Sequence, residues 1–313
     1  MSQPLQQQIW LTPWNTDQVS QNATRYQSIS AFWLTVQPDG VTFQPKADWS
    51  IWKSYIAANK KPGQTYVLTV SGDPDAVFLA LSDPQKRTTH INNLLQTVKD
   101  QGFDGIDIDY EGLGSENSDL FTQFITQLSA AFKASNKTVD VTVEARIGSD
   151  PPMDWAALAK VADQVRVMVY DYHGINTGQP GPIAPIGWLQ EVLDYAKKTV
   201  PQQKLAIGIG DYGYDWAQPT DPSVSWSGTG IGYDQAMALA KQYNQKVTRA
   251  TGIDVRGYDI GSIPTFSYTD SNNQQHQVWF EDQSSLQAKL DLISQYSTAG
   301  VIFWSVGVGD TNF

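Results

Sequence analysis

An α/β fold, a (β/α)8 barrel of eight parallel strands alternating with helices, is the architecture this sequence predicts. Three observations lead there. Short, nearly continuous apolar runs recur along the chain, as strands buried on both faces of a parallel sheet do. Between them lie segments whose apolar residues return at three- and four-residue spacing, as on one face of a helix. A group of carboxylates closes one of the runs, at the C-terminal strand end where such barrels keep their chemistry. Doubly wound sheets alternate too, but no glycine-rich phosphate loop follows an early strand here.

In chain order, "MSQPLQQQIW" is a Gln-rich leader without the basic and then apolar pattern of a secretory signal. Predicted strands follow at 8–14, 29–36 and 66–71. In "RTTHINNLLQTVKDQG", Ile91, Leu94, Leu95 and Val98 form a helical stripe that Gly102 can end. The fourth strand is 105–111. "SDLFTQFITQLSAAFKAS" then carries Leu120, Phe121, Phe124, Ile125 and Leu128 on one face, with Ser118 as N-cap. Strands at 139–146, 165–171, 204–212 and 300–306 complete the eight. Glu144 and Arg146 share a face of the fifth, where a buried salt bridge accounts for them better than catalysis.

The connection before the last strand is about twice the usual repeat of roughly 30 residues. It holds a helical pattern, "YDQAMALAKQYNQKV", and two β-rich runs flanking the turn "DSNNQ". The expectation is a small α+β insertion at 215–282 on the barrel's top face, with the barrel itself formed by 1–214 and 283–313. A helix at 284–296 would lead into the final strand.

The fourth strand poses the chemical question. In "GFDGIDIDYEG", alternation sends Asp107, Asp109 and Glu111 to one side and Ile106, Ile108 and Tyr110 to the other. Neighbouring carboxylates are then roughly 6–7 Å apart. In a poorly solvated site at least one should resist ionising. General acid–base catalysis would use such an arrangement; Ca²⁺ or Mg²⁺ binding, or charge pairing, would also explain it.

Composition narrows the partners. A net charge of −11 with 21 Lys and Arg argues against nucleic acid and anionic membrane surfaces. No apolar run is long enough to span a bilayer, so no membrane insertion is expected. Eleven Trp and fourteen Tyr suit the faces of sugars as well as an ordinary core. The absence of Cys removes thiolate chemistry, and three dispersed His suggest no zinc site. No cofactor is expected, and the chain should act as a monomer.

"DGIDIDYE" matches at every position the Asp-Gly-x-Asp-x-Asp-x-Glu signature of family 18 glycoside hydrolases, the chitinases and their relatives. "VMVYDYHG", "GIGDYGYDW" and "GVIFWSVG" resemble that family's sixth, seventh and eighth strands, so the likeness extends over most of the chain. The insertion is similar to that of bacterial cell-wall and spore-cortex N-acetylglucosaminidases. The resemblance implies Glu111 as general acid/base, Asp109 orienting the substrate's acetamido group, Asp107 tuning Asp109, and Tyr170 bonding the acetamido oxygen. It implies Asp171 and Met168 lining the same pocket and Trp304 beneath the sugar. Trp14, Tyr212 and Asp211 are further candidates for substrate contact. Two departures stand out: Thr69-Val70-Ser71-Gly72 replaces the family's Ser-x-Gly-Gly, and Asp211 adds a carboxylate beside the seventh strand's end.

The chemistry implied is hydrolysis of β-1,4 bonds next to N-acetylglucosamine in chitin oligosaccharides, peptidoglycan or a related glycan. In this group the substrate's own N-acetyl oxygen attacks, so one protein carboxyl suffices for proton transfer. Repulsion from Asp107 and Asp109, with partial burial, should raise the pKa of Glu111. Such a protein would work outside the cell or at its envelope, with any signal peptide missing from this sequence. The residues also allow blander roles: a buried Tyr–Asp hydrogen bond at Tyr170 and Asp171, core packing for Trp304, and a loop hydrogen bond for His173. Asp211 reads either way. A non-catalytic lectin on the same fold is the alternative function, although loss of the acid normally marks it and Glu111 is present. A metal-dependent barrel enzyme is a third reading, which a chelator would expose.

Overall fold

The structure is a computed structural model, and it describes residues 5–145, 152–221 and 223–305. Among these, β1 (Gln6–Leu11), β2 (Ser28–Val36), β4 (Thr65–Ser71), β5 (Gly105–Asp109), β6 (Thr138–Glu144), β7 (Gln164–Met168), β8 (Leu205–Gly210) and β14 (Gly300–Trp304) form a closed parallel barrel. The sheet runs β1-β14-β8-β7-β6-β5-β4-β2, and pairing of β1 with β2 closes it. They fall on the eight predicted runs, but β5, β7 and β8 end at Asp109, Met168 and Gly210, two or three residues short of the predicted ends, so that Glu111, Tyr170, Asp171, Asp211 and Tyr212 lie beyond their strands. Ile29, Leu68, Val70, Ile106, Ile108, Val141, Val165 and Val167 are all buried, as strands sealed on both faces require. Each such side chain stabilises the fold by roughly 1.5–3 kcal/mol relative to exposure.

The differences are local and physical. The first strand stops at Leu11 rather than reaching Trp14, because the Asn15 side chain accepts from the Thr12 N–H at 2.8 Å and turns the chain. A short strand, β3 (Phe43–Pro45), was not predicted; it pairs antiparallel with the end of β2, beyond a bulge between Phe32 and Leu34. Asp39 and Gly40 make the turn between them: Asp39 accepts from the N–H groups of Val41 and Thr42, and Gly40 has φ +74°. Residue 306 and Arg146, which the sequence placed in strands, lie outside the described residues.

The helices keep most of their predicted stripes, with Leu95 and Leu120 only half-buried at the edges. In α1 (Pro84–Gln101), Ile91, Leu94 and Val98 are buried, Asp83 caps the first turn, and Gly102 ends the helix at φ +74°. In α2 (Ser118–Lys133), Phe121, Phe124, Ile125 and Leu128 face inward. Ser118 is the first helical residue, not the N-cap, and its hydroxyl accepts instead from the backbone N–H of Asp154 at 3.0 Å.

Contacts group the chain into two compact units. The first comprises the described parts of Met1–Met168, Tyr195–Ile207 and Ser297–Ile302, and holds most of the barrel strands. The second comprises those of Val169–Asp194, Gly208–Tyr296 and Phe303–Phe313. It carries an antiparallel sheet of β9 (Gly213–Ala217), β10 (Ser227–Ile231), β11 (Thr248–Ala250), β12 (Ile263–Thr269) and β13 (Gln275–Trp279), in the order β10-β9-β13-β12-β11. Helix α3 (Tyr233–Gln242) packs Ala236 and Ala240 with Phe266, Tyr268 and Val278. The predicted turn is there: Asp270 accepts from the N–H groups of Asn272 and Gln274, and Asn273 takes φ +65°.

Candidate active site

Strand β5 is seated by close approach at one end and by side chains along both faces. A Cβ on Gly105 would meet the Thr138 hydroxyl oxygen at 2.0 Å, so only glycine fits there. On one face Ile106 and Ile108 enter the core. Next on that face, Tyr110 donates to His90 Nε2 at 2.7 Å, while His90 Nδ1 donates to the Gly40 carbonyl at 2.6 Å. A carbonyl can only accept, so Nδ1 carries a proton; burial holds the pKa of the ring down to about 4, which leaves Nε2 as the acceptor at neutral pH.

Asp107 and Asp109 take the opposite face. Asp107 is completely buried, and four groups hold it. Its Oδ2 accepts from the Trp10 indole at 2.9 Å and from Thr69 Oγ1 at 2.9 Å, and lies 3.1 Å from Arg166 Nη1. Its Oδ1 accepts from Thr142 Oγ1 at 2.8 Å. With its oxygens so committed, Asp107 has little left to offer a metal ion. Thr69, the departure in the third-strand motif, is thus one of its hydrogen-bond donors.

Asp109 is different. Its Oδ1 is buried with no hydrogen-bond partner among the described residues. Burial, then the charges of Glu111 and Asp107, raise its carboxyl well above the usual range; Lys46 opposes them and Glu144 adds to them. The bulged hairpin supplies Lys46, whose N–H bonds the Trp33 carbonyl at 2.7 Å and whose Nζ lies 4.5 Å from the centre of the Phe32 ring. Burial in turn lowers the pKa of Lys46. The strand ends at Asp109, so Glu111 stands two residues past it, exposed, before Gly112 at φ +74°. A Cβ on Gly112 would come within 2.9 Å of Pro74.

Of the other predicted residues in this unit, Met168 closes β7 and is buried, and Glu144 closes β6, half-buried. Trp14 sits in the turn after β1 and is 66% exposed, which rules out the core reading for this tryptophan. The predicted partner of Glu144, Arg146, is outside the described residues.

The second unit holds the remaining candidates. Asp171, at φ +57°, accepts from the hydroxyls of Tyr212 at 2.5 Å and Tyr214 at 2.9 Å. Burial raises its pKa and those bonds restrain the rise. Tyr170 meets Tyr212 edge-on with ring centres 6.3 Å apart. Both Tyr170 and Trp304 are half-buried against a cluster of Ile183, Ala184, Tyr212, Tyr214 and Trp216. His173 makes the predicted loop hydrogen bond, to the Gln179 carbonyl at 3.2 Å.

Asp211 follows β8, and its N–H bonds the Trp304 carbonyl at 3.1 Å. Its carboxyl is buried, and no donor among the described residues reaches either oxygen in good hydrogen-bonding geometry. Burial, with Glu281 nearby, pushes its pKa up to about 7, although the backbone N–H groups of Asp211 and Ser305 restrain the shift. A carboxyl that titrates higher when folded contributes its stability at low pH and loses it as pH rises from about 3.8 through 7. Asp211→Asn should therefore unfold at a higher temperature than the parent at pH 8, by on the order of 3–4 kcal/mol in stability, and near the parent's at pH 4. Thermal unfolding at the two pH values checks this.

Sequence reasoning did not single out Arg166, Trp10, Thr142, Lys46 or Tyr214. One signal was present: an arginine in the middle of the apolar run "QVRVM" has to find a carboxylate inside the barrel.

The family model for glycosyl hydrolases family 18 matches residues 11–309. The Cortical fragment-lytic enzyme of Bacillus anthracis is 32% identical over 243 residues, 75% of this chain and 53% of that protein. The Class V chitinase CHIT5 of Lotus japonicus is 22% identical over 289 residues, 80% of this chain and 68% of that protein. The crystal structure of the Bacillus cereus spore cortex-lytic enzyme SleL is similar at a TM-score of 0.82 and 25% identity, covering 98% of this chain and 72% of that one. The chain spans about half to two thirds of the length of the first curated relatives it matches.

Proposed function

The chain belongs to family 18 of the glycosyl hydrolases and is a glycoside hydrolase, and from that premise we propose that it cleaves β-1,4 bonds next to N-acetylglucosamine by a retaining, substrate-assisted mechanism. Glu111 protonates the leaving oxygen. The substrate's acetamido oxygen attacks the anomeric carbon as that bond breaks, giving an oxazolinium ion. Glu111, now ionised, then takes a proton from the water that opens the ring, and the β configuration is kept. Asp109 holds the acetamido group in its attacking pose, and Asp107 sets the charge state of Asp109.

The observation that carries this reading is the contrast along β5. A donor-saturated Asp107, an Asp109 whose buried carboxyl resists ionising, and an exposed Glu111 follow at two-residue intervals at the strand's C-terminal end. Three like carboxylates in three unlike environments is how one site divides acid, base and orienting roles. In the second unit Tyr170 is assigned the acetamido oxygen, Trp304 the sugar face, and Asp171, Tyr212 and Asp211 further polar contacts. Met168 and Trp14 are assigned sugar contacts in the first. These roles rest on the family resemblance. Relatives named for spore cortex and for chitin point to a polymer containing N-acetylglucosamine.

Chitin oligomers and purified peptidoglycan, digested in parallel with products identified by mass, test the substrate; proton NMR of the first product tests the stereochemistry. A β-configured first product is expected. An α product rules out retention, and binding without cleavage would return the lectin reading. Asp109→Asn should lower kcat by about 100-fold with KM little changed, since a misoriented reacting group costs roughly that factor. A loss confined to KM would make Asp109 a binding residue only.

A further inference from the structure

Arg166 occupies the centre of β7, facing the same way as Gln164 and Met168, and is 1% exposed. All three guanidinium nitrogens are used. Nη1 donates to Ser30 Oγ at 2.7 Å and lies 3.1 Å from Asp107 Oδ2; Nη2 donates to Asp140 Oδ2 at 2.6 Å; Nε donates to Gln164 Oε1 at 2.9 Å. A guanidinium stays charged at every pH a protein survives. Two of the groups on Asp107 Oδ2, Arg166 and the Trp10 indole, can donate but never accept, so a proton on that oxygen would face two donors. At Asp109 one oxygen is under no such constraint: its buried Oδ1 meets no donor among the described residues, and the cation that acts on the carboxyl is Lys46.

We infer that Arg166 is a positioning residue for the reaction: by fixing Asp107 as the anion of the site, it assigns the proton of the Asp107–Asp109 pair to Asp109. The inference rests on the roles proposed for Asp109 and Glu111, and it adds what decides between two carboxylates only one strand repeat apart. The directions agree with it, since burial and the charges of Glu111 and Asp107 raise Asp109. The neighbouring charges are Glu111, Glu144 and Lys46 toward Asp109, and Asp140 and Asp163 on the Arg166 side. Burial raises Asp140 to about 6 against the pull of Arg166. As Asp140 becomes neutral in mild acid, the charge of Arg166 is left increasingly to Asp107.

The first test needs no turnover, so it stands or falls separately from the glycosidase reading. Carbon-13 NMR of the unsubstituted chain labelled at aspartate carboxyls, with Asp107→Asn and Asp109→Asn used for assignment, is followed from pH 8 to pH 4. The Asp107 signal should hold its carboxylate position while Asp109 titrates; uptake of the proton by Asp107 in that window overturns the inference. The second test is the pH profile of kcat/KM. Removing Arg166 alone leaves two buried carboxylates without their cation, so Arg166→Met is combined with Asp140→Leu. In that double variant the acid limb should move up by about 1–3 pH units, the usual effect of a charge at this range on a carboxylate. Arg166→Lys, which keeps the cation, should leave the acid limb close to the parent's. An active double variant with the parental profile would reduce Arg166 to a structural residue, and if that variant does not fold, the NMR titration decides.

Discussion

Glu111→Gln is expected to leave the fold and glycan binding intact while lowering kcat by about 10²–10⁴-fold, the usual worth of a positioned general acid–base group. The amide keeps the shape of the side chain but has no proton to give the leaving oxygen and cannot later receive one from water. Because Glu111 is exposed and stands beyond the end of β5, its replacement disturbs no packed core. A second consequence separates this variant from a merely damaged one. The charge of Glu111 is among the causes that raise Asp109, so Asp109 should titrate lower in the variant. Steady-state kinetics on a defined oligosaccharide, with binding followed by titration calorimetry, checks the first effect. Near-normal turnover would move the acid elsewhere, with Asp211 and Glu144 the next residues to replace.

The other large effect requires no change to the protein. If the attacking atom belongs to the substrate, replacing the 2-acetamido group of the sugar on the non-reducing side of the cut by a free amine removes the nucleophile. Well-placed intramolecular groups act as though present at about 10⁵–10⁸ M, so a loss of at least about 10³-fold is expected even where the analogue binds. A thiazoline that mimics the cyclic intermediate should inhibit, as mimics of high-energy states do. Equal rates with and without the acetamide would refute substrate assistance and require a second protein carboxylate as nucleophile or base.

What the sequence revealed, and what it hid, follows from the range of the interactions involved. The barrel strands were legible because a strand buried on both faces leaves an apolar run that needs no partner to be recognised. The first was read too long because apolar character continues to Trp14, while the turn that ends it is made by one side-chain bond from Asn15. Strand β3 escaped because "FQP" is three residues with a proline, and its pairing comes from the bulged end of β2. The acidic motif was legible as a local pattern. The division of labour within it was not, because it depends on Trp10, Thr69, Thr142 and Arg166, which arrive from four other strands. For Ser118 the local rule chose a neighbour of the capping position, since Asp154 had claimed the hydroxyl.

The Tyr110–His90–Gly40 chain has a bearing on how such a sequence can change over generations. His90 is enclosed by Phe43 and Phe124 as well as Tyr110, with ring centres 4.9 and 5.5 Å away for the two phenylalanines. Exchanging Tyr110 alone for an apolar residue takes the partner from His90 Nε2, and exchanging His90 takes the partner from both the Tyr110 hydroxyl and the buried Gly40 carbonyl, at a cost of about 1–3 kcal/mol for each group stranded. Drift to apolar residues at these two positions therefore passes through less stable chains, because even the double exchange leaves the Gly40 carbonyl without its donor. Tyr110 lies between Asp109 and Glu111, so the segment that bears the acid is inherited together with a helix position twenty residues upstream. Variation in that segment is constrained by the silent face of the strand as well as by the reactive one.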